Sequence, residues 1–129
     1  MIKVNLYSSS RYAVNKKKVR FFAEQLLKNH NQDEVQLNIW IVGQRKIKEL
    51  NEKELHHQGT TDVLSFPQHE KQKLHDFSLP PGELTHLGEI VISFPEAVRS
   101  AKRYGKLVDD QLAFYVEHGL MHLLGYHHD

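Results

Sequence analysis

A chain of 129 residues with 40% hydrophobic and 26% charged side chains has the size and composition of one globular domain with a single core. Its formal net charge of +1 indicates neither a generally acidic nor a generally basic surface, so binding of a polyanion requires local patches. The absence of cysteine excludes disulfide scaffolds, thiolate zinc sites and cysteine nucleophiles, and the lack of a secretory signal or membrane-spanning apolar segment favours a cytoplasmic protein without membrane attachment.

The first half of the chain predicts two strands and two helices. Hydrophobic residues alternate with polar ones over residues 2–6 and 35–41, as in strands that bury one face. Between these strands, about residues 15–29, hydrophobic side chains recur at the spacing of an amphipathic helix. A second, shorter helix is expected at about residues 44–53.

Two further strands and a long loop are predicted in the middle of the chain. Residues 62–66 and 87–92 are apolar stretches of strand length, and the charged, proline-containing residues 68–83 between them indicate a loop. Strands and helices are interspersed without a regular strand–helix–strand repeat, which is typical of an α+β fold. We therefore expect residues 1–129 to form one domain, in which a small mixed sheet packs against helices.

Two helices are predicted in the last third of the chain. Ser93 and Glu96 have the spacing of a capping box, which opens a helix that ends at Gly105. The last helix extends over about residues 109–124 and ends at Gly125. An apolar stripe predicts that this helix packs on the core through Leu112, Val116, Leu120 and Leu123.

Histidine is unusually frequent, with ten copies, and three of them predict a metal site. His118 and His122 are four residues apart in the last helix, so their imidazoles share one face and can bind one zinc ion at about 2.0–2.1 Å. A left-handed turn at Gly125 can bring His128 back toward this pair. Three protein ligands and an open fourth position are typical of a catalytic zinc site, so we expect one zinc ion per chain. The other histidines outside the terminal pair are interpreted as surface or loop residues: His30, His56, His57, His69, His75 and His86.

The same spacing of three histidines and a glycine occurs in the metzincin peptidases. In those enzymes a glutamate follows the first histidine and acts as the general base. Here Gly119 occupies that position, and Glu117 lies on the other side of His118, where it cannot replace the base. A metzincin-like zinc peptidase is therefore an alternative that keeps the ligands and lacks the base.

Three segments, in the same order and at similar separations, resemble one known family. Residues 118–128 are HGLMHLLGYHH, residues 61–67 are TDVLSFP, and residues 87–93 are LGEIVIS. They are similar to H-G-x-L-H-L-x-G-Y-D-H, T-D-V-L-S-F-P and L-G-D-I-x-I-S, which are signatures of the YbeY family of endoribonucleases. The resemblance covers most of the chain.

The resemblance implies a metal-dependent enzyme that acts on RNA. It implies an α+β fold with zinc in a cleft, held by His118, His122 and His128, and cleavage of single-stranded RNA. The implied role is 3′-end maturation of 16S rRNA and ribosome quality control, with 16S rRNA or the small ribosomal subunit as partner. We expect RNA to be bound by two basic clusters, which could otherwise be solvated surface: Lys16, Lys17, Lys18 and Arg20, and Arg99, Lys102 and Arg103.

The chain departs from the family pattern at two places. Three and four residues after Asn51, the family has tyrosine and arginine, whereas this chain has Glu54 and Leu55. That arginine is a candidate for binding phosphate, so its absence favours a second alternative, a non-catalytic ribosome-associated protein whose C-terminal turn is organised by zinc. His127 replaces the aspartate of the signature, which gives two adjacent candidates for the third ligand. The family register selects His128 and leaves His127 as a weak catalytic candidate, as a proton shuttle or a phosphate contact.

Overall fold

A four-stranded mixed sheet forms the centre of the computed structural model, which describes residues 1–56, 59, 61–68 and 84–125. In chain order the strands are β1 (Ile2–Ser8), β2 (Val35–Val42), β3 (Val63–Pro67) and β4 (Thr85–Ser93). Their spatial order is β1-β2-β4-β3. The first three in this order are parallel, whereas β3 is antiparallel to β4. The prediction of a small mixed sheet is confirmed, and the predicted loop lies outside the described residues except for Gln68.

Four helices accompany the sheet in the described part of the chain. They are α1 (Lys16–Asn29), α2 (Gln44–Leu55), α3 (Phe94–Tyr104) and α4 (Val108–Leu123). The ends of all four agree with the predicted boundaries to within two residues, so the predicted α+β fold is confirmed. None of the helices that the structure describes is both long and apolar enough to cross a membrane.

The two faces of the sheet are covered by different helices. Ile90 and Ile92 of β4 are fully buried in the main core, together with apolar residues of α1 and α4. Val91 lies between them in the chain and therefore points to the opposite face, because successive side chains of a strand alternate. There it packs with Leu64 of β3 and Ile47 of α2 in a smaller core. Helices α2 and α4 thus lie on opposite faces of the sheet.

Helix α4 is held in place by its apolar stripe and by a close approach to β4. Each residue of the predicted stripe is fully buried: Leu112, Val116, Leu120 and Leu123. Gly119 is also buried, and a methyl group there would stand 2.9 Å from Cγ2 of Ile90. This separation is too short for two carbon atoms, so the helix can lie this close to β4 only because residue 119 has no side chain.

Candidate functional site

The two histidines of α4 stand side by side at the border between the buried and the open face of the helix. Their ring centroids are 5.0 Å apart, with 30° between the ring planes. The side chain of His118 is exposed and that of His122 is half-buried. The structure therefore brings these two predicted ligands together, one helical turn apart, on an element fixed by the core.

The chain turns at the end of α4 in the way that the glycine predicts. Gly125 has a φ of +90°, in the left-handed region, and its N–H donates to the carbonyl oxygen of His122 at 3.1 Å. His127 and His128 lie beyond the described residues, so the third ligand stays a prediction. Among residues 1–56, 59, 61–68 and 84–125, no three His, Cys, Asp or Glu side chains converge on a common point that could hold a metal ion.

Packing at Gly119 explains why no glutamate follows the first histidine. The position faces β4, and a Cβ would also stand 3.2 Å from two further carbon atoms of Ile90. A glutamate side chain there would have to displace the main core, at a cost typical of overpacking. The sequence shows that the metzincin base is missing, and the structure adds that this fold has no room for it.

A hydrogen bond between neighbouring helices further fixes the orientation of α4. The Tyr115 hydroxyl donates to Oγ of Ser100 on α3 at 3.0 Å. Burial raises the pKa of the Tyr115 phenol, so this hydroxyl keeps its proton and remains a donor across the physiological range. Because Tyr115 lies three residues before His118, the bond restrains the part of α4 that carries the candidate ligand.

The first basic cluster lies beside the N-terminal end of α4. Nζ of Lys18 is 3.8 Å from a carboxylate oxygen of Asp110, in the first turn of α4, and both side chains are more than half exposed. From there His118 is about 12 Å further along the helix axis. The side chain of Asn15 accepts a hydrogen bond from the Lys18 N–H and caps α1, which offsets the unfavourable cations in the first turn. The remaining members of this cluster, all on α1, are Lys16, Lys17 and Arg20.

The second basic cluster is partly engaged within α3. Nη1 of Arg99 is 2.9 Å from Oε1 of Glu96, a residue that is only 8% exposed, so this guanidinium offsets a nearly buried carboxylate. The Arg103 guanidinium lies 5.7 Å from the ring centroid of Tyr104, and Lys102 is exposed. Lys102 and Arg103 are therefore better placed than Arg99 to meet a phosphate group.

Leu55, where the resemblance places the arginine of the family, lies at the end of α2. Leu55 is the last residue of this helix and is 36% exposed, and Glu54 beside it is exposed as well. Asn51, one turn earlier, is buried and donates through Nδ2 to the carbonyl oxygen of Gly59 at 3.1 Å. This bond ties the helix end to the segment that leads into β3, so a longer side chain at Leu55 would extend from a fixed point into solvent.

Two features of the described surface were not identified from the sequence. Phe114, one turn before His118, is 51% exposed, and its ring centroid is 6.4 Å from that of His118. Its spacing of four residues from His118 was the available signal.

His86 is not a loop residue: it lies half-buried on β4, with Nε2 3.2 Å from Oε2 of Glu89 and 3.4 Å from Nδ2 of Asn38. The contact with Asn38 depends on the parallel register with β2, which shifts between Gln36 and Leu37, and this register cannot be predicted from one strand alone.

Comparison with known proteins gives matches that together extend over nearly the whole chain. The sequence profile described as Endoribonuclease YbeY matches residues 5–129. A protein named Endoribonuclease YbeY from Dehalococcoides mccartyi is 47% identical over 98 residues, which cover 72% of this chain and 61% of that protein. Its namesake from Moorella thermoacetica is 43% identical over 96 residues, which cover 74% of this chain and 62% of the relative. The aligned part of the chain thus spans about three fifths of the length of these two relatives.

A longer alignment and a solved structure agree with this result. The protein of the same name from Persephonella marina is 33% identical over 117 residues, which cover 91% of this chain and 72% of that protein. The solution structure of TM1509 from Thermotoga maritima superposes with a TM-score of 0.60 and 26% sequence identity. That match covers 100% of this chain and 75% of the Thermotoga protein.

Proposed function

The chain belongs to the YbeY family, and from that premise we propose that it is a zinc-dependent endoribonuclease that cleaves single-stranded RNA. Its proposed role is 3′-end maturation of 16S rRNA and quality control of ribosomes in the cytoplasm, with 16S rRNA or the small ribosomal subunit as partner. The observation that carries the proposal is the pair of imidazoles on α4, with ring centroids 5.0 Å apart, on a helix that the core holds rigidly.

We assign the binding of one zinc ion per chain to His118, His122 and His128. Imidazole nitrogen is a ligand that zinc accepts readily, and two imidazoles one helical turn apart suit a shared ion. When bound, zinc supplies Lewis-acid chemistry to a phosphodiester group. The chain contributes rigidity, since the buried stripe of α4 and the bond from Tyr115 to Ser100 fix the first two ligands before any metal binds.

RNA reaches this site across a surface that carries cations near the N-terminal end of α4. Lys18 lies beside the first turn of α4, and Lys102 and Arg103 are exposed at the end of α3 that leads into it. Each of these side chains that contacts a phosphate adds to the salt dependence of binding, because counterions are released from the RNA.

One observation favours a second candidate function, a non-catalytic ribosome-associated protein. Glu54 and Leu55 replace the tyrosine and arginine of the family, which removes a cation and adds a carboxylate at the exposed end of α2. A zinc peptidase is a weaker candidate, because Ile90 occupies the space that a glutamate at position 119 would need.

These functions are separated by assaying the purified chain on single-stranded RNA and on casein, each with and without a chelator. We expect cleavage of RNA that is abolished by the chelator and restored by added zinc, and no cleavage of casein. Cleavage of casein would establish the peptidase. Intact RNA together with one bound zinc ion would establish the non-catalytic alternative, and chelator-resistant RNA cleavage would refute the assigned metal site.

A further inference from the structure

A row of side chains extends from the turn before α4 to the histidine pair. Nζ of Lys106 lies 5.2 Å from the centroid of the Phe114 ring. That ring is 6.4 Å from the ring of His118, which in turn is 5.0 Å from the ring of His122. A cation, an aromatic ring and the candidate metal ligands are therefore contiguous on one surface of the molecule.

Phe114 is not buried in the core, unlike other large apolar residues of α4. Its side chain is 51% exposed, whereas Leu112 and Val116 on either side of it in the chain are fully buried. The Phe114 ring meets Tyr115 edge-on, with 61° between the planes and 5.8 Å between centroids. A single exposed phenylalanine is ordinary on a protein surface, so its position beside His118 is the informative part of the observation.

The charges around Phe114 suit a nucleic acid better than an apolar partner. Lys106 is exposed and its ammonium group lies against the ring. The nearest acidic residues along the helix are Glu117, three residues after Phe114, and Asp110, one turn before it. Nζ of Lys18 lies 3.8 Å from the Asp110 carboxylate. An exposed aromatic ring next to a cation is the combination by which proteins bind single strands, since the ring stacks on a base and the cation meets the phosphate.

We propose that Phe114 and Lys106 form a nucleotide subsite one helical turn away from the metal site. Phe114 stacks on a base of single-stranded RNA adjacent to the bond that is cut, and Lys106 contacts the phosphate of that nucleotide. This inference rests on the proposed function and adds to it a residue that positions the substrate.

The stacking contact is tested with the zinc-loaded protein and a ten-nucleotide single-stranded RNA whose bases are removed one position at a time. In the wild-type protein, one abasic position weakens binding roughly tenfold, because stacking on one ring is lost. In Phe114→Ala the intact RNA binds weaker by a similar factor, and removal of that same base has no further effect. Phe114→Tyr, which keeps a stacking ring, restores the wild-type pattern.

Zinc content and a remote aromatic residue supply the controls. Phe114→Ala must keep one zinc ion, and Tyr7→Ala, which removes an exposed ring from β1, must leave RNA binding unchanged. If the wild-type protein cleaves and binds RNA while Phe114→Ala shows the same affinity and the same abasic profile, the subsite is refuted and the proposed function stands. If the wild-type protein does not bind single-stranded RNA, both are refuted.

The phosphate contact has its own measurement. For Lys106→Gln, the slope of log Kd against log salt concentration becomes flatter by about 0.7, the value for one phosphate contact on a single strand. Lys48→Gln on α2, which packs on the opposite face of the sheet, leaves the slope unchanged. An unchanged slope in Lys106→Gln would remove this lysine from the subsite.

Discussion

The two faces of α4 differ in what holds them and in what they can do. One face consists of fully buried leucine and valine side chains that pack against the sheet and α1. The other carries Phe114 and His118 in solvent, with His122 half-buried at the border. Because residues advance by 100° around a helix, both faces belong to the same sixteen residues, and neither can move without the other.

This difference implies that folding and metal binding depend on separate residues of one helix. The buried face determines where α4 lies, and the open face inherits that position. A substitution on the buried face should therefore lower the free energy of unfolding. A substitution on the open face should remove ligand binding and leave folding nearly intact, as is usual for surface positions.

The largest effect on stability is expected for Leu120→Ala, on the buried face between the two histidines. Removing a fully buried leucine side chain costs about 2–5 kcal/mol, because transfer energy is lost and a cavity remains. Urea denaturation of the zinc-free protein measures this change. His118→Ala is the matched control and should stay within about 0.5 kcal/mol of the wild type. Equal losses for both variants would mean that the two faces are not separable.

The next effect concerns a position on the other side of the sheet. Leu55→Arg places a guanidinium at the exposed end of α2, where the sequence resemblance predicts the arginine of the family. If this position contacts a phosphate group, the activation free energy of RNA cleavage falls by up to about 2–4 kcal/mol, so the cleavage rate rises while the zinc content stays the same. Leu55→Gln controls for the longer polar side chain. An unchanged cleavage rate would show that the end of α2 is not part of the site in this chain.

A smaller effect is expected where the buried face of α4 packs against β4. Gly119→Ala adds one methyl group against Ile90 and should destabilise the zinc-free protein by about 1–3 kcal/mol. Glu117→Ala, at an exposed neighbouring position, should change stability by about 0.5 kcal/mol or less. The same urea titration measures both variants. A stabilised Gly119→Ala would mean that helix propensity outweighs the contact with Ile90.

Local patterns in the sequence predicted much of the fold and, within the described site, the pairing of His118 and His122. The buried stripe of α4, its end at Gly125 and the shared face of His118 and His122 all follow from helical spacing. The capping role of Asn15 was also available, because asparagine directly before a helix is a common cap. These features depend on neighbours within one turn, which a single sequence displays.

What the sequence did not predict depends on contacts between distant segments. Ile90 stands 29 positions before Gly119, so the missing side chain at position 119 suggested only a lost base and not a close approach of helix to strand. The ion pair of Arg99 with Glu96 had the right spacing, yet only the burial of Glu96 shows that the arginine is engaged. The exposure of Phe114 likewise follows from the direction in which α4 docks.

The most direct test of the account is the zinc content of four single alanine variants, measured by elemental analysis after gel filtration. His118→Ala, His122→Ala and His128→Ala should each lose the one zinc ion of the wild-type protein, because each removes a ligand. His127→Ala should retain it, because the third ligand is assigned to His128. If His127→Ala loses zinc and His128→Ala retains it, the third ligand is His127 instead of His128. Full zinc content in both His118→Ala and His122→Ala would contradict the metal site on α4.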